Sequence, residues 1–375
     1  MKIAIVCTFD TCFDRLKLLK SYYKMIFDEV IVIASDFSHV HKEKYRNEDA
    51  DILIDAKPYY KNLSIDRLKS HYDFAKKVEK VIEQIKPDYI HSFIPANSLT
   101  KFLSKYKRKN PSTKLVYDII DLWPETLPIN RFKQHFPFTL WKNIRDNYLD
   151  DADIVFTECG LFQEILHKDT NEKYHTLYWS KQETMLDSKF KYDSDSIGFC
   201  YLGSINNIID IDLIINFLAE CRKQKPVNLH IIGKGESKDI FINRANAQNI
   251  NVIDHDVIYS QEEKQKIFDL CNYGLNVMKS SVVVGLTMKS LDYMCGGLPL
   301  INTIQGDTKK LCEEENIGVN IDEHNIKEVA YKVCNESEQE LRKRRDSIKN
   351  IYIKYFSKES FFKQLDKVLK MRSES

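Results

Sequence analysis

The sequence predicts an α/β protein made of two doubly wound domains in series. Short apolar segments rich in Val and Ile alternate with segments of helical period almost from end to end. Strands that alternate with helices form right-handed crossovers and a mostly parallel sheet. The alternation lapses in the polar stretch 181–196 and then restarts. We therefore predict a first domain at 1–185, a second at 186–355, and a C-terminal helix at 356–375 that crosses back to the first domain.

The elements follow from apolar runs bounded by polar or glycine-containing turns. The most regular helical pattern spans 65–85, where apolar residues fall on one face, and a charged helical segment spans 336–370. The predicted strands are 2–7, 29–35, 51–56, 88–93, 114–120 and 153–158 in the first half, and 197–203, 227–233, 250–254, 273–279, 298–301 and 317–321 in the second.

Composition limits the class of protein. The chain has 375 residues, 43% of them hydrophobic, which is enough for two cores. Its 56 Lys and Arg residues nearly balance its 55 Asp and Glu residues, so the whole molecule has no electrostatic reason to bind nucleic acid. Nine cysteines without a C-x-x-C pair indicate buried free thiols in a reducing compartment. No apolar segment approaches the roughly 20 residues that span a bilayer. We predict a cytoplasmic protein and leave contact with the inner face of the plasma membrane open.

Two strand-to-helix turns in the second half have the composition of phosphate-binding loops. They are "CYLGSINNIIDIDLI" (200–214) and "HIIGKGESKDI" (230–240). Glycine allows close approach of the backbone to a ligand, and polar side chains near a helix start can donate to an anion. Neither turn matches a P-loop or the complete dinucleotide fingerprint, and an ordinary turn explains each alone. Together they favour a phosphate-bearing ligand. The candidate ligand contacts here are Gly203, Ser204, Asn206 and Lys234.

The segment "VGLTMKSLDYMCGGLPLI" (284–301) predicts a third such site. Thr287 is a good N-cap, and a helix N-terminus carries about half a positive charge that favours a phosphate. Lys289 in the first turn opposes the helix dipole unless an anion is bound there. Asp292 could accept hydrogen bonds from sugar hydroxyls, or could be an ordinary solvated helix residue. Gly285 precedes the cap and is a further candidate.

These residues resemble a known family. The segment 285–301 resembles the donor-site signature of the GT-B glycosyltransferases of retaining family 4, with Lys289 at the lysine of the motif and Asp292 at its second acid. The glycine turns "YLGSI" (201–205) and "HIIGKGE" (230–236) are similar to the two turns of that family. The first half contains "YDIIDLWPE" (117–125), which resembles the D-x-W-P-E segment of members that build lipid-linked surface polysaccharides.

The chain departs from the family pattern at two places. Val284 occupies the position of the first acid of the E-x7-E pair, and the second acid is shortened to Asp292. The basic residues often found after the first glycine turn are also missing. The resemblance therefore implies that Lys289, the helix N-terminus, and Lys279 or Lys234 neutralise the donor diphosphate.

On the first domain, acidic and aromatic residues follow a strand in "DIIDLWPETLP". Asp121 is our preferred functional acid. Asp118, Trp123 and Glu125 are predicted on the acceptor side, and the alternative is a strand-end turn with a buried tryptophan.

Aromatic and basic residues alternate in 130–153, which together with the basic run 105–114 resembles a surface that meets anionic lipid. Solvated lysines and core aromatics explain the same pattern. Of the four D-x-D triplets, only Asp254–His255–Asp256 follows a strand, so we predict no metal site.

The resemblance implies a retaining, metal-independent transferase of a hexosyl or N-acetylhexosaminyl group. It would use a nucleoside diphosphate sugar, with a UDP-sugar favoured, and no cofactor. The acceptor would be a glycan or a polyprenyl-linked oligosaccharide in surface polysaccharide synthesis. In this scheme Gly203, Thr287 and Lys289 contact the diphosphate, Asp292 contacts the ribose or sugar, and Asp121 faces the anomeric centre.

Two other classes remain open at this point. A nucleotide-sugar epimerase or hydrolase can share this fold and would act without an acceptor. A non-catalytic partner of another glycosyltransferase would bind nucleotide without turnover, and fold resemblance alone does not separate these classes.

Overall fold

The structure, a computed structural model, describes residues 1–127, 136, 138–181 and 185–371. It consists of two compact units: unit 1 comprises Met1–Ser180 with the segment from Lys358 onwards, and unit 2 comprises Lys181–Ser357. The boundaries predicted from the sequence, after residues 185 and 355, differ from these by a few residues. Each unit is described separately.

Each unit contains one fully parallel sheet. Unit 1 has the strand order β3-β2-β1-β4-β5-β6-β7, and unit 2 has the order β10-β9-β8-β11-β12-β13. The strands of unit 1 are β1 (Lys2–Cys7), β2 (Glu29–Ser35), β3 (Ile52–Ile54), β4 (Tyr89–Ile94), β5 (Lys114–Ile119), β6 (Ile154–Thr157) and β7 (Tyr174–Thr176). Those of unit 2 are β8 (Ile197–Leu202), β9 (Val227–Ile232), β10 (Asn251–Asp254), β11 (Tyr273–Asn276), β12 (Leu300–Asn302) and β13 (Gly318–Asn320).

Helices connect the strands, and the last one belongs to unit 1. The helices of the first part are α1 (Phe13–Tyr23), α2 (Ile65–Ile85), α3 (Ser98–Lys109), α4 (Phe138–Leu149) and α5 (Gly160–Leu166). Unit 2 contains α6 (Ile211–Arg222), α7 (Lys238–Ala247), α8 (Gln261–Phe268), α9 (Met288–Cys295), α10 (Asp307–Glu314), α11 (Ile326–Cys334) and α12 (Glu338–Phe356), and α13 (Lys358–Leu369) follows.

The doubly wound prediction is confirmed, and most strands lie where their apolar runs predicted them. Strand β1 is buried on both faces, as expected for a central parallel strand. Helix α2 has the predicted bounds, because Ser64 caps its first turn and Lys86, at φ 46°, ends it before Pro87. Strand β7 was not predicted, because three residues are too short a run to show a period.

The return of the C-terminal helix to the first domain is confirmed. Phe361 and Leu365 of α13 are buried in the core that covers one face of the unit 1 sheet. The Tyr22 hydroxyl of α1 donates to Asp366 Oδ1 at 2.7 Å.

The predicted lipid-facing segment 130–153 is only partly described. Arg131, Phe132 and Lys133 lie outside the described residues. Of the described aromatics, Phe136 is 79% exposed whereas Trp141 is buried. No helix in the described ranges is both long enough and apolar enough to cross a membrane.

Candidate functional site

The two glycine turns of unit 2 pack directly against each other. A Cβ on Gly233 would lie 2.0 Å from the Gly203 carbonyl oxygen, and one on Gly235 would lie 2.2 Å from that of Ile205. The Ile205 amide also donates to the Lys234 carbonyl at 3.0 Å. Gly233 and Gly235 are therefore required for packing of the turns. Gly203 differs from them. Its φ of 113° favours glycine, and no atom of the described residues, its two chain neighbours aside, lies within 4 Å of the position of a Cβ, so this side of Gly203 is open to a ligand.

The polar residues predicted around these turns lie at the surface. Ser204, Lys234 and Lys279 are exposed, and Asn206 is half-buried with its side-chain oxygen accepting from the Ile208 amide at 3.2 Å. The Lys279 amide donates to the Ile208 carbonyl at 2.9 Å, which holds Lys279 beside the loop that follows Gly203. These side chains are available to a ligand at the carboxyl edge of the sheet.

The start of α9 is anchored by asparagines at the ends of three adjacent strands. Thr287 is the N-cap, as predicted, and its hydroxyl oxygen accepts from the Ser290 amide at 3.2 Å. The same hydroxyl donates to Asn276 Oδ1 at 3.1 Å. Asn276 donates to Asn302, and Asn302 donates to Asn320, each at 2.8 Å. Sequence analysis missed this chain of amides, although each asparagine ends its apolar strand.

Tyr293 ties α9 to the end of β8. Its hydroxyl accepts from the Leu202 amide at 2.7 Å and donates to the Cys200 carbonyl at 3.1 Å. A Cβ on Gly274 would lie 2.8 Å from the Tyr293 ring, so glycine in β11 makes room for the ring. Leu202 directly precedes Gly203, and Tyr293 therefore fixes the glycine turn relative to α9.

Lys289 is the most unusual residue of this site. Only 9% of it is exposed, and within the described part of the chain its ammonium has no hydrogen-bond partner. Its Nζ lies 5.1 Å from the ring centroid of Tyr201 on β8. Burial lowers the pKa of Lys289 from 10.5 to about 7. A helix N-terminus and an unpaired lysine in its first turn form a place where an anion would be stabilised.

Asp292 is paired with two lysines. Its Oδ1 lies 2.6 Å from Lys181 Nζ and 3.0 Å from Lys264 Nζ. The alternative of an ordinary solvated helix residue is wrong, because Asp292 is largely buried in this cluster. Lys264 could have been suspected from the sequence, since it lies in phase with the buried Ile267 and Phe268 on α8. Lys181 carries no such signal, because it lies in the irregular segment.

In unit 1, Asp118 and Glu125 each form an ion pair with a buried arginine. The Asp118 carboxylate is fully buried and accepts from Arg15 Nε at 2.7 Å and Nη2 at 2.8 Å. Glu125 accepts from Arg145 Nη1 and Nη2, both at 2.9 Å. Burial alone would raise the pKa of each acid. Arg15 with His91 lowers the pKa of Asp118, and Arg145 with Lys142 lowers the pKa of Glu125, so both pKa values lie below their ordinary values. These positions favour structural ion pairs over the predicted acceptor contacts.

Asp121 remains partly exposed at the carboxyl edge of the unit 1 sheet. Burial raises its pKa, against hydrogen bonds from Thr126 and Trp123. Glu158, at the end of β6, was missed by sequence analysis; its carboxylate accepts from Trp179 Nε1 at 2.6 Å. Burial raises the pKa of Glu158 to about 8, and the Asp121 charge adds to this shift. Asp121 and Glu158 thus form a pair of acids with raised pKa values.

No group of three or more His, Cys, Asp or Glu side chains in the described ranges is arranged to hold a metal ion. In the D-x-D triplet that follows β10, Asp254 forms an ion pair with Lys238, whose Nζ lies 2.8 Å from Asp254 Oδ1.

Comparison with known proteins identifies the fold. Residues 197–337 match the family model described as Glycosyl transferases group 1. A comparison with curated proteins finds no match.

Solved structures match over almost the whole chain. The lipopolysaccharide outer core galactosyltransferase WaaB in its apo form is 13% identical at a TM-score of 0.69, covering 99% of both chains. HepE from Anabaena in complex with UDP is 13% identical at a TM-score of 0.66, covering 99% of this chain and 100% of HepE. Sucrose-phosphate synthase from Thermosynechococcus elongatus is 10% identical at a TM-score of 0.69, and the match covers 99% of this chain and 98% of the synthase chain.

The matched segment begins at β8 and contains Gly203, Lys289 and Asp292. The chain therefore has the GT-B glycosyltransferase fold, and unit 2 carries the segment that matches the Glycosyl transferases group 1 model.

Proposed function

We propose that the protein is a glycosyltransferase that moves a sugar from a nucleoside diphosphate sugar to a glycan or lipid-linked oligosaccharide. Lys289 is the main observation behind this proposal. A buried lysine in the first turn of α9 that has no hydrogen-bond partner among the described residues is costly unless an anion binds there. The open face of Gly203, fixed relative to α9 by Tyr293, supports a diphosphate at the same place. A UDP-sugar is favoured because HepE, of similar fold, is described in complex with UDP and with UDP-glucose.

The chemistry that we assign to unit 2 is stabilisation of the leaving diphosphate. As the bond between the anomeric carbon and the diphosphate breaks, negative charge grows on the phosphate oxygens. The Lys289 ammonium and the N–H groups at the start of α9 stabilise that charge without reorganising. Asp292, held by Lys181 and Lys264, is oriented to accept from ribose or sugar hydroxyls.

The finer parts of the proposal come from the sequence resemblance. We propose membership of family 4, a retaining outcome, metal independence without a cofactor, and a role in surface polysaccharide synthesis. We further propose a cytoplasmic location with contact at an anionic membrane, supported by the exposed Phe136 and by the three basic residues in the last turn of α3. Asp121 is proposed to face the reacting sugar.

The test is sugar transfer from radiolabelled UDP-, GDP- and other NDP-sugars, with and without a crude polyprenyl-linked acceptor fraction. We expect acceptor-dependent incorporation from a UDP-sugar, and a fall of roughly two orders of magnitude or more in Lys289→Ala. Lys266→Ala is the matched control, because Lys266 is an exposed lysine of α8.

Other outcomes assign the protein differently. Nucleotide release at an undiminished rate without acceptor would identify a hydrolase or epimerase. Nucleotide binding without turnover across the panel would identify a non-catalytic partner. NMR of the product anomer decides between retention and inversion.

A further inference from the structure

Unit 1 contains a buried cation, Arg67, that forms no ion pair with any of the described residues. Arg67, in the first turn of α2, is 2% exposed, and its Nη1 donates to the Asn62 carbonyl at 2.6 Å. Among the described residues, its Nε and Nη2 have no hydrogen-bond partner. Burial lowers the pKa of Arg67, and it outweighs the interactions with Tyr59 and Asp121, which raise that pKa.

The unpartnered edge of Arg67 has the geometry of an oxyanion receptor. Nε and Nη2 point their N–H groups in parallel, which is the arrangement that binds carboxylate or phosphate through two hydrogen bonds. The guanidinium face stacks on Trp123, with its central carbon 3.8 Å from the ring centroid. Because the stacking involves the face, Trp123 does not engage the Nε and Nη2 edge.

A neutral histidine lies beside this arginine. His71 is 3% exposed, stacks on Trp123 with centroids 6.1 Å apart, and has no partner on either ring nitrogen within the described ranges. Burial and then the Arg67 charge lower the pKa of His71 well below 6.5, so the ring is neutral and offers one donor and one acceptor. Lys42 adds a further positive charge, with its Nζ 4.9 Å from the ring centroid of Tyr59.

Two cavities lie beside Arg67 and His71. One cavity of about 190 Å³ is lined by Arg67, and a larger one of about 510 Å³ is lined by His71. Both are also lined by Ile65 and Leu68 of α2 and by Trp141 of α4. The larger cavity is also lined by four charged residues, Lys57, Lys69, Asp73 and Lys76. The anion donors Arg67 and His71 thus line two cavities that share apolar side chains, and we call this region the groove between α2 and α4.

We propose that the acceptor is a phosphorylated amphiphile, whose phosphate or diphosphate binds to the Nε and Nη2 edge of Arg67 and whose apolar chain lies in the groove between α2 and α4. The charge of Arg67 selects an anion, and the walls formed by Ile65, Leu68 and Trp141 select an apolar chain next to it. Asp121, which interacts with Arg67 electrostatically, would lie on the sugar side of the phosphate. This assignment rests on the proposed function for its meaning as an acceptor site, but the binding site can be tested alone.

The test measures binding of decyl phosphate below its micelle concentration by isothermal titration, with decyl glucoside as the neutral probe. We expect wild-type protein to bind decyl phosphate more tightly than decyl glucoside. Arg67→Gln should weaken the affinity for decyl phosphate by roughly 10- to 100-fold and leave the affinity for decyl glucoside unchanged. Arg108→Gln is the control, because the Arg108 side chain is 59% exposed and paired with Asp151.

UDP binding separates this proposal from the proposed function. Arg67→Gln should keep its UDP affinity, and Lys289→Ala should lose UDP affinity while binding decyl phosphate normally. If Arg67→Gln loses both ligands through misfolding, Arg67→Lys takes its place and should retain decyl phosphate within about tenfold.

Equal binding of decyl phosphate by wild-type and Arg67→Gln protein would overturn the anion site, as would failure of the wild-type protein to bind it. Inorganic diphosphate that binds as tightly as decyl phosphate would overturn the assignment of the groove to an apolar chain. A loss of UDP binding by a folded Arg67→Gln protein would also contradict the proposal.

Discussion

Two kinds of buried cation occur in this protein. Arg15 uses its Nε and Nη2 edge to hold Asp118, and Arg145 holds Glu125 through two hydrogen bonds. Arg67 and Lys289 are also buried, yet neither forms an ion pair with a carboxylate within the described ranges. Each of them lies in the first turn of a helix and over an aromatic ring.

The difference separates structural ion pairs from candidate ligand sites. A buried charge costs several kcal/mol unless it is paired, and the helix N-terminus adds to this cost for a cation. For Arg15 and Arg145, the ion pairs with Asp118 and Glu125 offset the free energy of burial within the folded chain. Arg67 and Lys289 have an arrangement that an anion from outside the chain would stabilise, and this comparison leads to four predictions.

The largest effect is expected from breaking a paired cation. Asp118→Asn leaves Arg15 buried opposite a neutral amide, so we expect the free energy of unfolding to fall by about 3–5 kcal/mol. Chemical denaturation measures this change. Activity per folded molecule should be unchanged if Asp118 is structural. A stable but inactive variant would instead support the predicted role of Asp118 in acceptor binding.

Removal of an unpaired cation should have the opposite effect on stability. Lys289→Met keeps the apolar stem and removes the buried ammonium. We therefore expect the free energy of unfolding at pH 7 to rise by a few kcal/mol, on the order of the free energy that corresponds to the lowered pKa of Lys289. UDP affinity should fall at the same time.

The pH dependence of the free energy of unfolding tests whether the charge of Lys289 causes the gain in stability. The folded-state pKa of Lys289, about 7, lies below its ordinary value of 10.5, so unfolding takes up a proton between these two pH values. Stability of the wild-type protein should therefore rise with pH across this window, and Lys289→Met should lack that part of the rise. A Met variant less stable than wild type would mean that Lys289 has a partner in the folded protein.

UDP affinity should depend on the same proton. Bound diphosphate favours the charged ammonium, so affinity should fall as pH rises above about 7, approaching tenfold per pH unit. Titrations between pH 7 and 9 measure this, and Lys289→Arg is the control because arginine stays charged throughout. A flat profile in the wild-type protein would show that Lys289 does not meet the diphosphate.

The smallest effect concerns the acids of unit 1. The pKa of Glu158 is raised to about 8 by burial, so its contribution to stability is complete below its unfolded pKa and is lost as pH rises through about 8. Glu158→Gln should remove this loss, so the variant should be more stable than the wild type at pH 9, by less than the full pKa shift would give because Glu158 is partly exposed. Thermal melting of both proteins at pH 5 and pH 9 tests this; an equal fall in both would assign the pH dependence to other groups.

The sequence by itself determined the two sheets, the bounds of α2, the Thr287 cap and the position of Lys289 in the first turn of α9. These features are local, because apolar period, capping residues and helix termini act within a few residues of chain. The short β7 was missed because three residues show no period.

Tertiary structure alone decided which charged residues are free to meet a ligand. Nothing near Asp118 in the sequence shows that Arg15 occupies it, since the two are brought together by strand pairing and helix packing over more than a hundred residues. The same holds for Lys181 and Lys264 at Asp292, and for Trp123 under Arg67. Burial and pairing depend on which side chains the fold brings into contact. Those contacts are the physical difference between Arg15, which is paired with Asp118, and Arg67, which forms no ion pair with the described residues.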